Sequence, residues 1–178
     1  VYGGGNLRAG SLEEADFPAN VLEQAVPLGG ELMTAAEGAT PTLLIEALAD
    51  PASGALDRIQ VIKGWTESDG GTQEQVYDVA WAGEGRLQTD GSLLPVENTV
   101  DLATGLLDNS AGAGRLTAAW SDPNFDPDQS AFYYVRVLQI PTARHSLLDK
   151  LALGGEVDTQ RPDTLQERAY TSSIWYRP

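Results

Sequence analysis

The sequence predicts an all-β protein, an antiparallel β-sandwich of about six to eight strands entered through an irregular N-terminal arm. Three observations carry this. Several segments alternate apolar and polar residues with the two-residue period of a half-buried strand. Residues that favour tight turns, Gly, Pro, Asn and Asp, cluster between those segments. No helical crossover of the length a parallel sheet requires lies between them. The length, 178 residues, suits one domain with an appendage.

Residues 1–37 form the arm, and residues 38–178 the sandwich. Within the arm, Ser11 followed by Glu13 and Glu14 suits a helix start, because a hydroxyl caps free amides and carboxylates meet the positive end of the dipole. Pro18 stops that helix at Asp16, and a second helical candidate runs from Ala19 to Ala25. The first strand is the apolar run Pro41 to Leu48, closed by the turn pair Asp50-Pro51. Arg58 to Trp65 sets Ile59 and Val61 against Arg58 and Gln60, and Gln75 to Trp81 sets Tyr77, Val79 and Trp81 on one face. The Ser68-Asp69-Gly70-Gly71 connection makes the two a hairpin. Further strands are expected at Asn98–Leu102, Gly114–Trp120, Ala131–Ile140 and Ala169–Tyr176. Apart from Arg136 and Gln139, Ala131–Ile140 is apolar on both faces, which places it at the centre of a sheet.

Composition removes function classes. The 26 acidic residues outnumber the 11 basic ones, for a net charge of −15. Nucleic acid and anionic lipid are bound through Lys and Arg, so neither is an expected partner. With no Cys there is no disulfide framework, thiolate metal site or cysteine nucleophile, and a single His rules out a multi-histidine centre. No run of about 18 apolar residues occurs, so no membrane insertion is expected.

The remaining candidates are few. His145 has Ser146 and Asp149 close in sequence, but triad partners meet through the fold rather than as neighbours, so a loop histidine is the better reading. Asp122, Asp126 and Asp128 are candidate ligands for a hard cation. Their Asp-Pro and Asn-Phe-Asp context is equally ordinary turn chemistry, which is favoured, and no metal or other cofactor is assigned to the chain. Gly3-Gly4-Gly5, Gly29-Gly30 and Gly154-Gly155 match no phosphate-cradling pattern. Lys63 and Arg136 interrupt apolar strands, while Arg144 and Arg168 sit beside Pro-rich or aromatic segments. Each is expected to pair with a carboxylate such as Asp78 or Glu167, because an isolated buried ion is costly. The alternative for these cations is a docking surface, for which Lys63, Trp65, Arg136 and Arg144 are the candidates. A ligand-binding reading instead uses Trp65, Trp81, Trp120 or Trp175 as platforms for a sugar ring, although a strand Trp is more often core.

Several long blocks carry a resemblance. They are Ile59–Trp65, Val76–Trp81, Trp120-Ser121-Asp122-Pro123-Asn124-Phe125-Asp126-Pro127, Ala131–Thr142 and Gln166–Tyr176. In this order they resemble the carboxyl-terminal part of the bacterial family labelled domain of unknown function 3604. The resemblance implies kinship with PHP-type metal-dependent hydrolases, in which a preceding module holds divalent metal through His and Asp. It transfers no catalytic or metal-binding residue to this chain. Related sequences often carry an aromatic residue at the His145 position, and tend to have a Phe-Gly-Gly-Trp stretch where this chain has Tyr2-Gly3-Gly4-Gly5-Asn6. The resemblance and the start at Val1 lead us to expect a carboxyl-terminal, non-catalytic module that docks onto a missing amino-terminal hydrolase module. The family's habit of export makes the periplasm or the exterior the expected compartment.

Overall fold

The computed structural model describes residues 1–5, 7–33, 39–154 and 161–178. Its elements in chain order are β1 (Tyr2–Gly4), β2 (Val26–Pro27), β3 (Glu31–Met33), β4 (Thr42–Leu48), β5 (Leu56–Thr66), β6 (Thr72–Trp81), β7 (Arg115–Ser121), β8 (Ala131–Gln139), β9 (Thr142–Ala143), α1 (His145–Leu153), β10 (Thr164–Leu165), β11 (Arg168–Tyr170) and β12 (Ile174–Arg177). They form two principal sheets. The smaller runs β2-β1-β4-β7, the larger runs β3-β12-β8-β5-β6 with β11 also paired to β8, and β9 and β10 form a two-stranded ribbon. Pairing is antiparallel throughout except between β12 and β3.

The two sheets pack face to face. Leu43 and Ile45 of β4 and Leu116 and Ala118 of β7 meet Ile59 and Val61 of β5, Tyr133 and Val135 of β8, and Ile174 and Tyr176 of β12. Because side chains alternate along a strand, the residues between these point outward. Burying each large apolar chain stabilises the fold by about 1.5–3 kcal/mol, so this interface is the principal source of cohesion. The all-β sandwich expected from the sequence is the observed architecture.

The hairpin is also as expected, with β5 and β6 paired from Arg58↔Trp81 to Thr66↔Thr72. β8 is interior, with β5 on one edge and β11 and β12 on the other. The run Leu43-Leu44-Ile45 is unbroken because both faces of β4 are covered: Leu44 lies under Leu12 and Val21 of the arm, with Tyr2, Leu7 and Phe17 around them.

Other expectations are corrected. The arm is irregular only in part, since it supplies β1 and β2 to one sheet and β3 to the other. Its helical candidates are two 3-10 turns, Ala9–Glu13 and Ala19–Val21, and Ser11 lies inside the first rather than capping it. Asn98–Leu102 is no strand. The Asp101 carboxylate accepts from the Ala103 amide at 2.9 Å and the Thr104 hydroxyl at 2.8 Å, and this local turn leaves only a bridge from Val100 to Leu107. The closing segment Ala169–Tyr176 divides into β11 and β12 around residues 171–173, where Thr171 Oγ1 accepts from the Val135 amide at 2.9 Å. His145 is not in a loop but opens α1, the one α-helix among the described residues.

Candidate functional site

The loop from Asp122 to Ser130 carries the chain from β7 in one sheet to β8 in the other, and its carboxylates serve that crossing. Asp122 is buried, with Lys63 Nζ 2.6 Å from its Oδ2. The Tyr133 hydroxyl donates to the same oxygen at 2.7 Å, and the Asn124 amide donates to Oδ1 at 2.9 Å. Lys63 also donates to the Asn124 carbonyl at 2.7 Å and lies 5.2 Å over the Trp65 ring. Trp120 lies beside this group, its ring tilted against Tyr77 at 5.0 Å and edge-on to Tyr133 at 6.0 Å. Burial first, and then the Asp122 carboxylate, push the Tyr133 phenol well above its ordinary pKa, so it stays protonated and donates. At the other end of the loop the Tyr176 hydroxyl donates to the Pro127 carbonyl at 2.9 Å, and Phe125 packs edge-on against the Tyr176 ring.

The metal candidates are therefore separated. Asp122 is committed to Lys63 inside the sandwich, whereas Asp126 and Asp128 line a surface hollow of about 460 Å³ together with Glu67. Asp126 accepts from the Asp128 amide at 2.9 Å, an ordinary turn contact. No group of three or more His, Asp or Glu residues placed to hold a metal ion occurs among the described residues.

Of the cations expected to pair with a carboxylate such as Asp78 or Glu167, Lys63 finds one in Asp122, whereas Arg136 bonds an amide. Lys63 takes Asp122, while Asp78 sits against Arg58 at 3.5 Å and accepts from Gln60 Nε2 at 2.8 Å. Arg136 donates through Nε to Gln60 Oε1 at 2.7 Å. A second buried carboxylate, Asp57, was not singled out in the sequence. It holds Arg58 at 3.0 Å and Arg86 at 2.7 Å and accepts from Gln166 Nε2 at 3.0 Å. Arg86 in turn donates to the carbonyls of Ala82 and Leu94 and so anchors the long β6–β7 connection.

The four docking candidates do not converge. Lys63 faces inward and Trp65 packs against the core, Arg136 is on the outer face of the same sheet, and Arg144 is the residue before α1. Two surfaces stand out instead. The first surrounds α1. Leu147 anchors the helix in the interior, while Leu148, Leu151 and Leu153 remain exposed. The loop carrying exposed Leu102 and Leu106 rests on the helix at Gly105, which has φ +72° and where a Cβ would lie 2.7 Å from Leu148 Cδ2. Leu106 is 70% and Leu153 79% exposed.

The second is the outer face of the larger sheet, and strand register orders it in rows. One row reads Asp78, Gln60, Arg136, Tyr170 across β6, β5, β8 and β11. The next reads Val76, Ile62, Tyr134, and the third reads Glu74, Gly64, Phe132, Trp175. Phe132 lies across Gly64, where a Cβ would come within 2.3 Å of its ring, so only glycine admits this arrangement. Its ring is 5.3 Å from that of Trp175 and 6.4 Å from that of Tyr134, to which it is nearly parallel. Tyr134 is in turn 6.4 Å from Tyr170. Trp175 is 46% and Tyr170 56% exposed. The Arg168 and Arg136 guanidiniums beside the Tyr170 hydroxyl hold its pKa below the usual tyrosine value.

Of the four tryptophans, Trp65 and Trp120 pack against the core, Trp81 is half-buried and Trp175 is exposed. Fold and site together describe a β-sandwich whose buried Lys63, Asp122 and Asp57 are paired within it and which exposes, among the described residues, an apolar patch at α1 and aromatic residues on one sheet face. The family model described as Protein of unknown function (DUF3604) matches residues 1–178, and the chain belongs to that family. Comparison with curated proteins and with solved structures returned no match.

Proposed function

We propose that this chain is a non-catalytic β-sandwich module that docks onto, and supports, the metal-dependent catalytic module of a PHP-like hydrolase. The observation that carries the reading is the leucine patch of Leu102, Leu106, Leu148, Leu151 and Leu153, with Arg144 preceding the helix. Apolar side chains left in water at this density favour association, at about 25 cal/mol for each Å² removed from solvent. The committed state of the interior supports the same reading: Asp122, Lys63 and Asp57 are each bound to partners that hold elements together. The amino-terminal module, its divalent metal and export of the parent protein belong to this proposal. Titration of that module, separately produced, with this chain tests it, and Leu106→Asp with Leu148→Asp is the variant that must lose binding.

A second reading, a carbohydrate or small-ligand binding module, is favoured by one feature, the exposure of Trp175 beside Phe132 on an open sheet face.

A further inference from the structure

We propose that the open edge of β6 is a strand-addition site, and that its occupant is an extended basic segment of another protein with Lys or Arg on alternate residues. Neither the leucine patch nor Trp175 takes part, so this site stands apart from both readings above.

A strand at the end of a sheet bonds its neighbour through alternate residues and leaves the remaining N–H and C=O groups unpaired. β6 is such a strand. It is ten residues long and pairs with β5 alone. Among the described residues, no other backbone group bonds to it. The Val76 carbonyl accepts from the Gln75 side chain at 3.0 Å, an exposed local contact that an incoming amide can replace. Residues 72–75 are exposed and residues 76–81 half-buried, so nothing covers the edge. The smaller sheet ends on the same side, at β7, and the two strands meet where the Tyr77 and Trp120 rings lie 5.0 Å apart. Tyr77 is paired with Val61 and faces inward with it, whereas Glu74 and Asp78 lie with Gly64 and Gln60 on the outer face. An added strand therefore sets one row of side chains beside Tyr77 and Trp120, and the alternate row beside Glu74 and Asp78.

Charge selects the occupant. No Lys or Arg occurs in residues 64–85, which contain β6 and its hairpin turn, or in residues 116–135, which contain most of β7 and the loop after it. The same stretches carry Glu67, Asp69, Glu74, Asp78, Asp126 and Asp128. The nearest cations are already held: Lys63 by Asp122, Arg58 by Asp57 and Asp78, Arg86 by Asp57, and Arg115 by Glu46. Arg136 lies on β8, with β5 between it and β6. A second copy of the chain is disfavoured here. Antiparallel pairing about Val76 would set Glu74 against the copy's Asp78, and each copy carries −15. The carboxylates that turn a copy away attract a basic strand, and the field of the whole chain steers it in.

The test titrates the full chain with a ten-residue peptide alternating Lys and Val, with its Glu–Val counterpart, and with two forms of the Lys–Val peptide N-methylated on alternate residues. Calorimetry reads affinity, and amide hydrogen exchange locates the contact. The expected result is binding of the Lys–Val peptide, weakened by salt, with new protection confined to β6. One methylated form loses at least about tenfold in affinity while the other binds as the parent does, because an added strand bonds the edge through alternate amides only. Glu74→Lys, at an exposed position, weakens binding about tenfold. Equal binding of both methylated forms overturns strand addition, since charge alone then holds the peptide. Equal binding of the Glu–Val peptide overturns the basic occupant. Dimerisation of the chain alone with protection on β6 makes a second copy the occupant and overturns it too. No binding of the Lys–Val peptide overturns the site.

Discussion

At Lys63 a cation stands in an apolar strand, and the reason lies in the loop that it meets. With both side chains withdrawn from water, Lys63 and Asp122 are each stabilised by the other and by Tyr133 and Asn124. Removing one partner strands the other charge, at a cost of about 3–5 kcal/mol, while removing both at matched volume costs far less. Lys63→Met and Asp122→Leu are therefore each expected to lower stability by that amount, and the double variant by less than either, as measured by urea unfolding. Tyr133 gives the pH dependence. Its phenol has a pKa raised in the fold, so its contribution is complete below the unfolded value of about 10 and declines above it, where the unfolded chain loses the proton first. The wild-type unfolding midpoint is expected to fall more steeply above about pH 10 than that of Tyr133→Phe, and equal slopes would contradict the account.

At the scale of elements, β4 shows how the arm is held. Leu44 is fully buried on the face away from the main core, against Leu12 and Val21. Leu44→Ala is expected to cost about 2–5 kcal/mol and to admit protease to residues 7–25 before the sandwich unfolds, visible by limited proteolysis with mass spectrometry. The elements also mark what the sequence could convey. β5, β6 and β8 were legible because their side chains alternate or run apolar without a break, and Gly70-Gly71 announced the hairpin turn. β1, β2 and β3 were not, since two or three residues carry no period and their pairing with β4 and β12 is decided by distant partners. Asn98–Leu102 has the composition of a strand, but the Asp101 side chain captures the backbone of its own turn instead. α1 was missed because Arg144 offers no capping side chain and the helix is nine residues long. As for the site, Trp175 was among the residues singled out, but its rows depend on register between β6, β5, β8, β11 and β12, which no local pattern specifies.

For the whole molecule, two sheets close the main core, the arm covers a smaller one, and an apolar patch around α1 and an aromatic face on the larger sheet are two of the exposed surfaces among the described residues. The family membership extends over the whole chain, so both surfaces belong to the matched region. They are separate in sequence, which lets each be altered alone: Leu106 and Leu148 for the proposed docking, Trp175 for the second reading. The most direct measurement of the central claim is calorimetric titration of the amino-terminal module that the proposal invokes, separately produced, with this chain and with its Leu106→Asp, Leu148→Asp variant. The account predicts a saturable one-to-one association with a negative heat-capacity change, lost in the double variant and kept in Trp175→Ala. No association, or one that both leucine substitutions leave intact, would contradict it.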